Sequence, residues 1–223
     1  KERIAVVVVP TVSLALDQER RLQELLPGTP TFAYHSGLSD ASKDSFKQRV
    51  GDGVQQVVFT SPEALLSGLK APIERAAKHG RLGHFVIDEA HVVSQWGTEF
   101  RPEFQNMAGF WRHLGSVTAA SSMGAMRTIL LSATFTDSVL SELRELFAMP
   151  DCFQLVSSPL LRPEPSYWAV RSDSGIERDE RLIEALDHLP RPALVYTTLV
   201  DGQQGDSLST KSAEELLRSV GYR

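Results

Sequence analysis

Asp88 and Glu89 stand side by side where the apolar run "GHFVI" gives way to polar residues, and His91 follows two positions later. Adjacent carboxylates at a strand end suit metal–nucleotide chemistry. The first acid can hold Mg²⁺ through its water shell, because this ion takes few protein ligands besides phosphates. The second can orient or deprotonate the water that attacks a γ-phosphate. An acidic pair at a strand-to-loop junction is also a common surface feature, so the pair alone decides little. Its company sharpens it. Ser132-Ala133-Thr134 closes a second apolar run, and a loop carrying Gln95, Trp96, Phe100, Arg101 and Phe104 lies just downstream of His91. Aromatic faces stack on nucleic-acid bases at roughly 1–3 kcal/mol each without reading their order. Arg101 can pair with phosphate or lie on a ring. Phe104 is expected to pack the loop onto the core instead.

The elements that must hold these residues alternate along the chain. "RIAVVVVP" reads as a strand buried on both faces, followed by a helix through "SLALDQERRLQELL". Leu14, Leu22, Leu25 and Leu26 fit one side of that helix, and Pro27-Gly28 ends it. "TFAYHS", "VQQVVFTSPE", "GHFVIDEA" and "RTILLSAT" read as further strands. "SDASKDSFKQRV" reads as a helix capped by Ser39 or Asp40, and "DSVLSELRELF" as another. "GSVTAASSMGAMR" is small and polar and reads as a flexible connection. Such alternation indicates a mostly parallel, doubly wound α/β sheet, whose sites form beyond the carboxyl ends of its strands. Pro10-Thr11, Thr60-Ser61, Asp88-Glu89 and Ser132-Ala133-Thr134 all fall at such ends.

After about residue 157 the texture changes. "SSPLLRPEPSYWAV" is proline-rich and extended, "IERDERLIEALDHL" helical, "PALVYTT" a strand, and "KSAEELLRSVGYR" a helix. The expected division is a first domain over 1–157, a connection over 158–192 and the start of a second domain over 193–223.

Composition bounds the rest. A net charge of −5 argues against a uniformly basic nucleic-acid coat but leaves room for a local phosphate-binding strip. No stretch approaches the roughly 18 uninterrupted apolar residues of a membrane span, so no membrane role is expected. "KERIAVVVVPT" lacks a small-residue cleavage site and reads as a buried strand, not a signal peptide. Cys152 is the single cysteine, which excludes an internal disulfide framework and a multi-cysteine zinc site within these residues. An intracellular protein is expected, cytoplasmic or, in a bacterium, nucleoid-associated. His35, His79, His84, His113 and His188 show no metal-site spacing.

"IDEAH" at 87–91 and "LSAT" at 131–134 resemble motifs II and III of superfamily 2 helicases. "VPTVSLALDQ" at 9–18 is similar to their motif Ia, and "FTSPEAL" at 59–65 to the next block. "SQWGTEFRPEF" at 94–104 resembles the aromatic-rich loop of the RecQ family of DNA helicases, and "LLRPEPSYWAV" at 160–170 the segment joining that family's two motor domains. The resemblance runs to about residue 198. It implies a RecA-like first motor domain followed by the start of a second. It further implies ATP and Mg²⁺ as cofactors, single-stranded and duplex DNA as partners, and 3′-to-5′ movement. By the same resemblance Asp88 and Glu89 serve the nucleotide, with Asp88 toward the metal and Glu89 toward the attacking water. His91 bridges to the second motor domain. Ser132 and Thr134 link hydrolysis to interdomain movement, and Thr11, Ser13, Thr60 and Ser61 lie near the DNA backbone. Gln95, Trp96, Phe100 and Arg101 belong to the loop that senses single-stranded DNA.

Parts of the family pattern are absent from these 223 residues, among them the second domain's arginine-bearing motifs and the cysteine-rich zinc module. A glycine-rich phosphate loop ending in Lys-Ser/Thr is expected upstream of the first strand, and the chain reads as cut at both ends. "GDSLSTKS" at 205–212 has the loop's spacing, but Thr210 replaces the last glycine, whose backbone must close around phosphates. Lys211 is better read as a residue of a helix's first turn. Two other functions compete with a helicase: a nucleic-acid-binding module without ATPase activity, and a metal-dependent nuclease using Asp88 and Glu89. A two-metal site draws carboxylates from further strands, and the other strand ends offer Thr and Ser.

Overall fold

The computed structural model describes residues 3–92, 102–121, 123–148, 152–158, 164–197, 199 and 208–222, with the side chains of 102–105 outside the description. The chain divides into two compact units, Lys1–Val156 and Ser157–Arg223.

The first unit is built on a five-stranded sheet in the order β2-β3-β1-β4-β5. Its strands are β1 (Ile4–Val8), β2 (Thr31–Tyr34), β3 (Val57–Thr60), β4 (Leu82–Ile87) and β5 (Arg127–Leu130). Every neighbouring pair is parallel. These runs are rich in β-branched and aromatic residues, which fit a pleated surface covered by helices.

The helices are α1 (Val12–Leu25), α2 (Asp40–Asp52), α3 (Pro62–Ala64), α4 (Lys70–Lys78), α5 (Pro102–Ala119) and α6 (Asp137–Phe147). A π-helical turn, Leu65–Leu69, joins α3 to α4. Thr11, Ser39, Ser61 and Thr136 each cap a helix with the side-chain oxygen. Gly53, in the left-handed region, ends α2.

Most helices cover one face. Phe46, Leu69, Ile73, Phe85, Met107, Leu114 and Leu143 are completely buried there, each contributing about 1.5–3 kcal/mol by leaving water. Phe32 stacks on Phe46 with centroids 4.6 Å apart. Among the described residues of this unit, α1 covers the other face, where Ala15 packs with Val9, Ala33 and Phe59. β1 therefore alternates: Ile4, Val6 and Val8 are buried, whereas Ala5 and Val7 are only half-buried. Burial of β1 on both faces is thus corrected.

Leu25 and Leu26 also depart from expectation. Leu14 and Leu22 pack against the α1 cluster, but Leu25 and Leu26 are 77% and 54% exposed, because α1 is ending there. The flexible connection over 115–127 begins inside α5 instead. Thr118, fully buried, donates its hydroxyl to Leu114 O at 2.9 Å and accepts from Met126 N at 3.2 Å, pinning the turn that follows.

The second unit contains α7 (Gly175–His188) and α8 (Thr210–Ser219). The strand expected over "PALVYTT" does not form: residues 193–197 have no regular structure, and Leu199 makes an isolated parallel bridge to Ser209. Leu194 and Tyr196 are 80% and 87% exposed, as befits an apolar run with no described strand beside it. Ser209 and Ser212 close the start of α8 with a capping box, and Lys211 lies in its first turn. Residues 205–207 of the phosphate-loop lookalike fall outside the described residues.

Candidate nucleotide and DNA site

The strand order decides where chemistry can sit. β1 leads through α1 to β2 on one side, whereas β4 leads to β5 on the other. A crevice therefore opens between the carboxyl ends of β1 and β4, the place where open parallel sheets bind ligands. Asp88 is the first residue past β4 and occupies that position.

The turn after β4 is stitched to both neighbours. Asp88 N donates to Val8 O at 2.8 Å, Leu131 N to Ile87 O at 2.9 Å, and Ala90 N to Leu131 O at 2.8 Å. Both oxygens of the Asp88 carboxylate are engaged. Oδ1 accepts from Glu89 N at 3.0 Å, and Oδ2 accepts from Gln18 Nε2 at 3.3 Å. Each oxygen keeps a further lone pair for a cation's water.

Glu89 sits at φ 50°, in the left-handed region where non-glycine residues are uncommon. Its Oε2 lies 3.2 Å from His91 Nδ1. The same nitrogen is 2.9 Å from Ser132 Oγ, which brings the two polar strand ends together. Ser132 donates its hydroxyl to Thr134 O at 3.0 Å and accepts from Thr134 N at 3.1 Å. A carboxylate only accepts, and the Ser132 proton is already directed at Thr134. Both neighbours therefore call for a proton on His91 Nδ1, which leaves Nε2 as the ring's second polar atom.

The donor set fits Mg²⁺ held through a nucleotide. Asp88 offers one well-oriented, half-buried carboxylate, and among the described residues no group of three or more His, Cys, Asp or Glu could cage a metal. A cation here would draw its remaining ligands from phosphates and water. Two grooves lie elsewhere, one lined by Lys70, Glu74, Asn106 and His113, the other by Trp111, Leu140, Phe147 and Phe153. Neither of these two includes Asp88.

The expected DNA contacts divide. Thr11 and Ser13 are exposed at the start of α1, and Ser61 is half-buried at the start of α3. Thr60 is completely buried, held between Val8 and Tyr34 in the ladder. Its side chain cannot reach a DNA backbone, and that expectation is corrected. Gln95, Trp96, Phe100 and Arg101 lie outside the described residues. Gln18 is the residue that sequence reasoning missed.

A parallel sheet with an acid–histidine turn at its switch point is the arrangement of a RecA-like motor domain. The DEAD/DEAH box helicase model matches residues 1–143, and the chain belongs to that family. It is 28% identical over 172 residues to "ATP-dependent DNA helicase Q-like 2" of Arabidopsis thaliana, covering 76% of this chain and 23% of that protein. Against "RecQ-like DNA helicase blm-1" of Caenorhabditis elegans it is 29% identical over 159 residues, covering 70% and 15% respectively. The chain thus spans less than a quarter of these curated relatives. Among solved structures, the DUF1998 helicase MrfA superposes with a TM-score of 0.66 at 20% identity, covering 98% of this chain and 31% of that one. A likeness of that kind speaks to the fold.

Proposed function

We propose that the chain serves as the first motor domain of an ATP-dependent, RecQ-type DNA helicase that moves 3′ to 5′ along a single strand and separates duplex. The observation that carries this reading is the joining of Asp88, Glu89, His91 and Ser132 at one switch point, beside the exposed start of α1. The names of the curated relatives support an ATP-dependent, RecQ-like DNA helicase, and the polarity comes from the family resemblance alone.

Mg²⁺, when bound, neutralises charge on the β- and γ-phosphate oxygens. Asp88 orients the cation's water shell through a carboxylate fixed at both oxygens. Glu89 holds and deprotonates the attacking water. His91, protonated on Nδ1, ties Glu89 to Ser132, so the carboxylate and the Ser132–Thr134 turn move as one. Thr11, Ser13 and Ser61 grip the DNA backbone without reading sequence.

The test is ATP turnover with and without single-stranded DNA in the two-motor enzyme, together with unwinding of duplexes carrying 3′ or 5′ tails. Turnover stimulated by DNA and unwinding of the 3′-tailed duplex are expected. Residues 1–223 alone should hydrolyse ATP negligibly, since they carry no glycine-rich phosphate loop. Robust turnover by those residues alone would revive the 205–212 segment and sink this account.

A further inference from the structure

Gln18 lies on α1, 70 positions from Asp88 in sequence, yet its Nε2 donates to Asp88 Oδ2 at 3.3 Å. Only the amide nitrogen can face a carboxylate, since the amide oxygen would place two acceptors together. The contact crosses the crevice between β1 and β4 that the topology opens.

Two features make this more than an incidental contact. First, the opposite oxygen of Asp88 is held by the Glu89 backbone N–H, so Gln18 is the side chain that completes the carboxylate's orientation. Without it, Asp88 retains one hydrogen bond and can turn about its terminal torsion. Second, α1 starts at Thr11 and carries exposed Ser13 in its first turn. Gln18 follows Thr11 by seven positions, about 10 Å along a helix rising 1.5 Å per residue. Ala15 of α1 packs with Val9, Ala33 and Phe59, and a close-packed interior transmits strain.

We propose that Gln18 is a positioning residue that sets the orientation of the Asp88 carboxylate for its cation and links it to the DNA-facing start of α1. The proposal rests on the reading of Asp88 as the cation-facing acid. In this assignment Gln18 acts through Asp88, its hydrogen-bond partner. A strand gripped at Thr11 and Ser13 shifts α1, and Gln18 carries that shift to the carboxylate.

Gln18→Met keeps the side chain's length and apolar stem while removing the donor. Two measurements test the proposal. In residues 1–223 without metal or nucleotide, the Gln18 side-chain amide resonances should move on Asp88→Ala. Unmoved resonances would show that the hydrogen bond does not exist in solution and overturn the proposal whatever the enzyme does. In the two-motor enzyme, Gln18→Met should raise the Mg²⁺ concentration for half-maximal ATP turnover by roughly tenfold, the scale of a hydrogen bond to a charged group. The loss should be smaller at saturating Mg²⁺, and DNA stimulation should fall. A uniform loss at every Mg²⁺ concentration, or an unchanged Mg²⁺ requirement, would overturn it. If the unsubstituted enzyme shows no DNA-stimulated turnover, the helicase reading fails instead, and the resonance measurement still decides whether Gln18 positions Asp88.

Discussion

The imidazole of His91 is bound to Ser132, 2.9 Å from its hydroxyl oxygen, across 41 positions of sequence. Ser132 Oγ is the side-chain link between the turn after β4 and the turn after β5, beside the main-chain bond from Ala90 to Leu131, and its hydrogen bonds to Thr134 close the second turn on itself. Ser132→Ala removes that link. One hydrogen bond of about 1 kcal/mol corresponds to about fivefold in rate. ATP turnover should fall by about that factor in the two-motor enzyme, and unwinding of tailed duplex by considerably more. Equal loss of both would show that Ser132 serves hydrolysis alone.

Glu89→Gln keeps shape and removes the base. Turnover should drop by at least about a hundredfold, the usual scale of a lost general base. Nucleotide binding should persist, because Asp88 is untouched. Near-normal hydrolysis would take Glu89 out of its assigned part.

The segment from 94 to 104, whose last three residues open α5, begins five residues after Glu89. If it senses a strand, Trp96→Ala or Arg101→Ala should lower DNA-stimulated turnover far more than basal turnover. DNA affinity should change modestly, since Thr11, Ser13 and Ser61 remain. Thermal melts give the control: a large drop in melting temperature with equal loss of both rates would mark Trp96 as a packing residue.

Away from the site, the Lys78 ammonium hydrogen-bonded to Glu74, and after it the His113 ring, hold the Glu74 carboxyl below its ordinary range. The two contacts measure 2.7 and 3.2 Å. A depressed folded value contributes stability above the unfolded value of about 4.3, lost as pH falls through the lower folded value. Glu74→Gln should therefore flatten the acid side of the stability–pH curve of the first unit while leaving a smaller change in its shape elsewhere. An unchanged acid limb in urea melts between pH 3 and 6 would remove this pair from the account.

The strands were legible because β-branched runs bounded by turn residues leave few alternatives, and Asp88 and Ser132 followed from their ends. α5 is faint in the sequence although Met107, Trp111 and Leu114 recur at helical spacing, because Gly109 and Gly115 interrupt it with weak helix formers. Thr60 was misjudged through parity. A strand-end hydroxyl can point to solvent or inward, and Thr60 is held between two neighbours and faces in. "PALVYTT" has the composition of a strand, but a strand needs a partner, and composition does not supply one. Gln18 was illegible for a different reason. Its partner is 70 residues away, and only the crossing of α1 over the sheet brings the amide to Asp88.

Glu89 occupies a backbone geometry that glycine adopts freely and other residues adopt at a cost of about 1 kcal/mol or more. With Glu89 as the proposed base, the demands of folding and of turnover pull in opposite directions. Glu89→Gly should melt a few degrees higher, by about 2–4 °C for each kcal/mol relieved in a chain of this size, and be catalytically dead. Under the proposed role for Glu89, selection for robustness alone would erase the carboxylate, and keeping it means accepting a less stable domain.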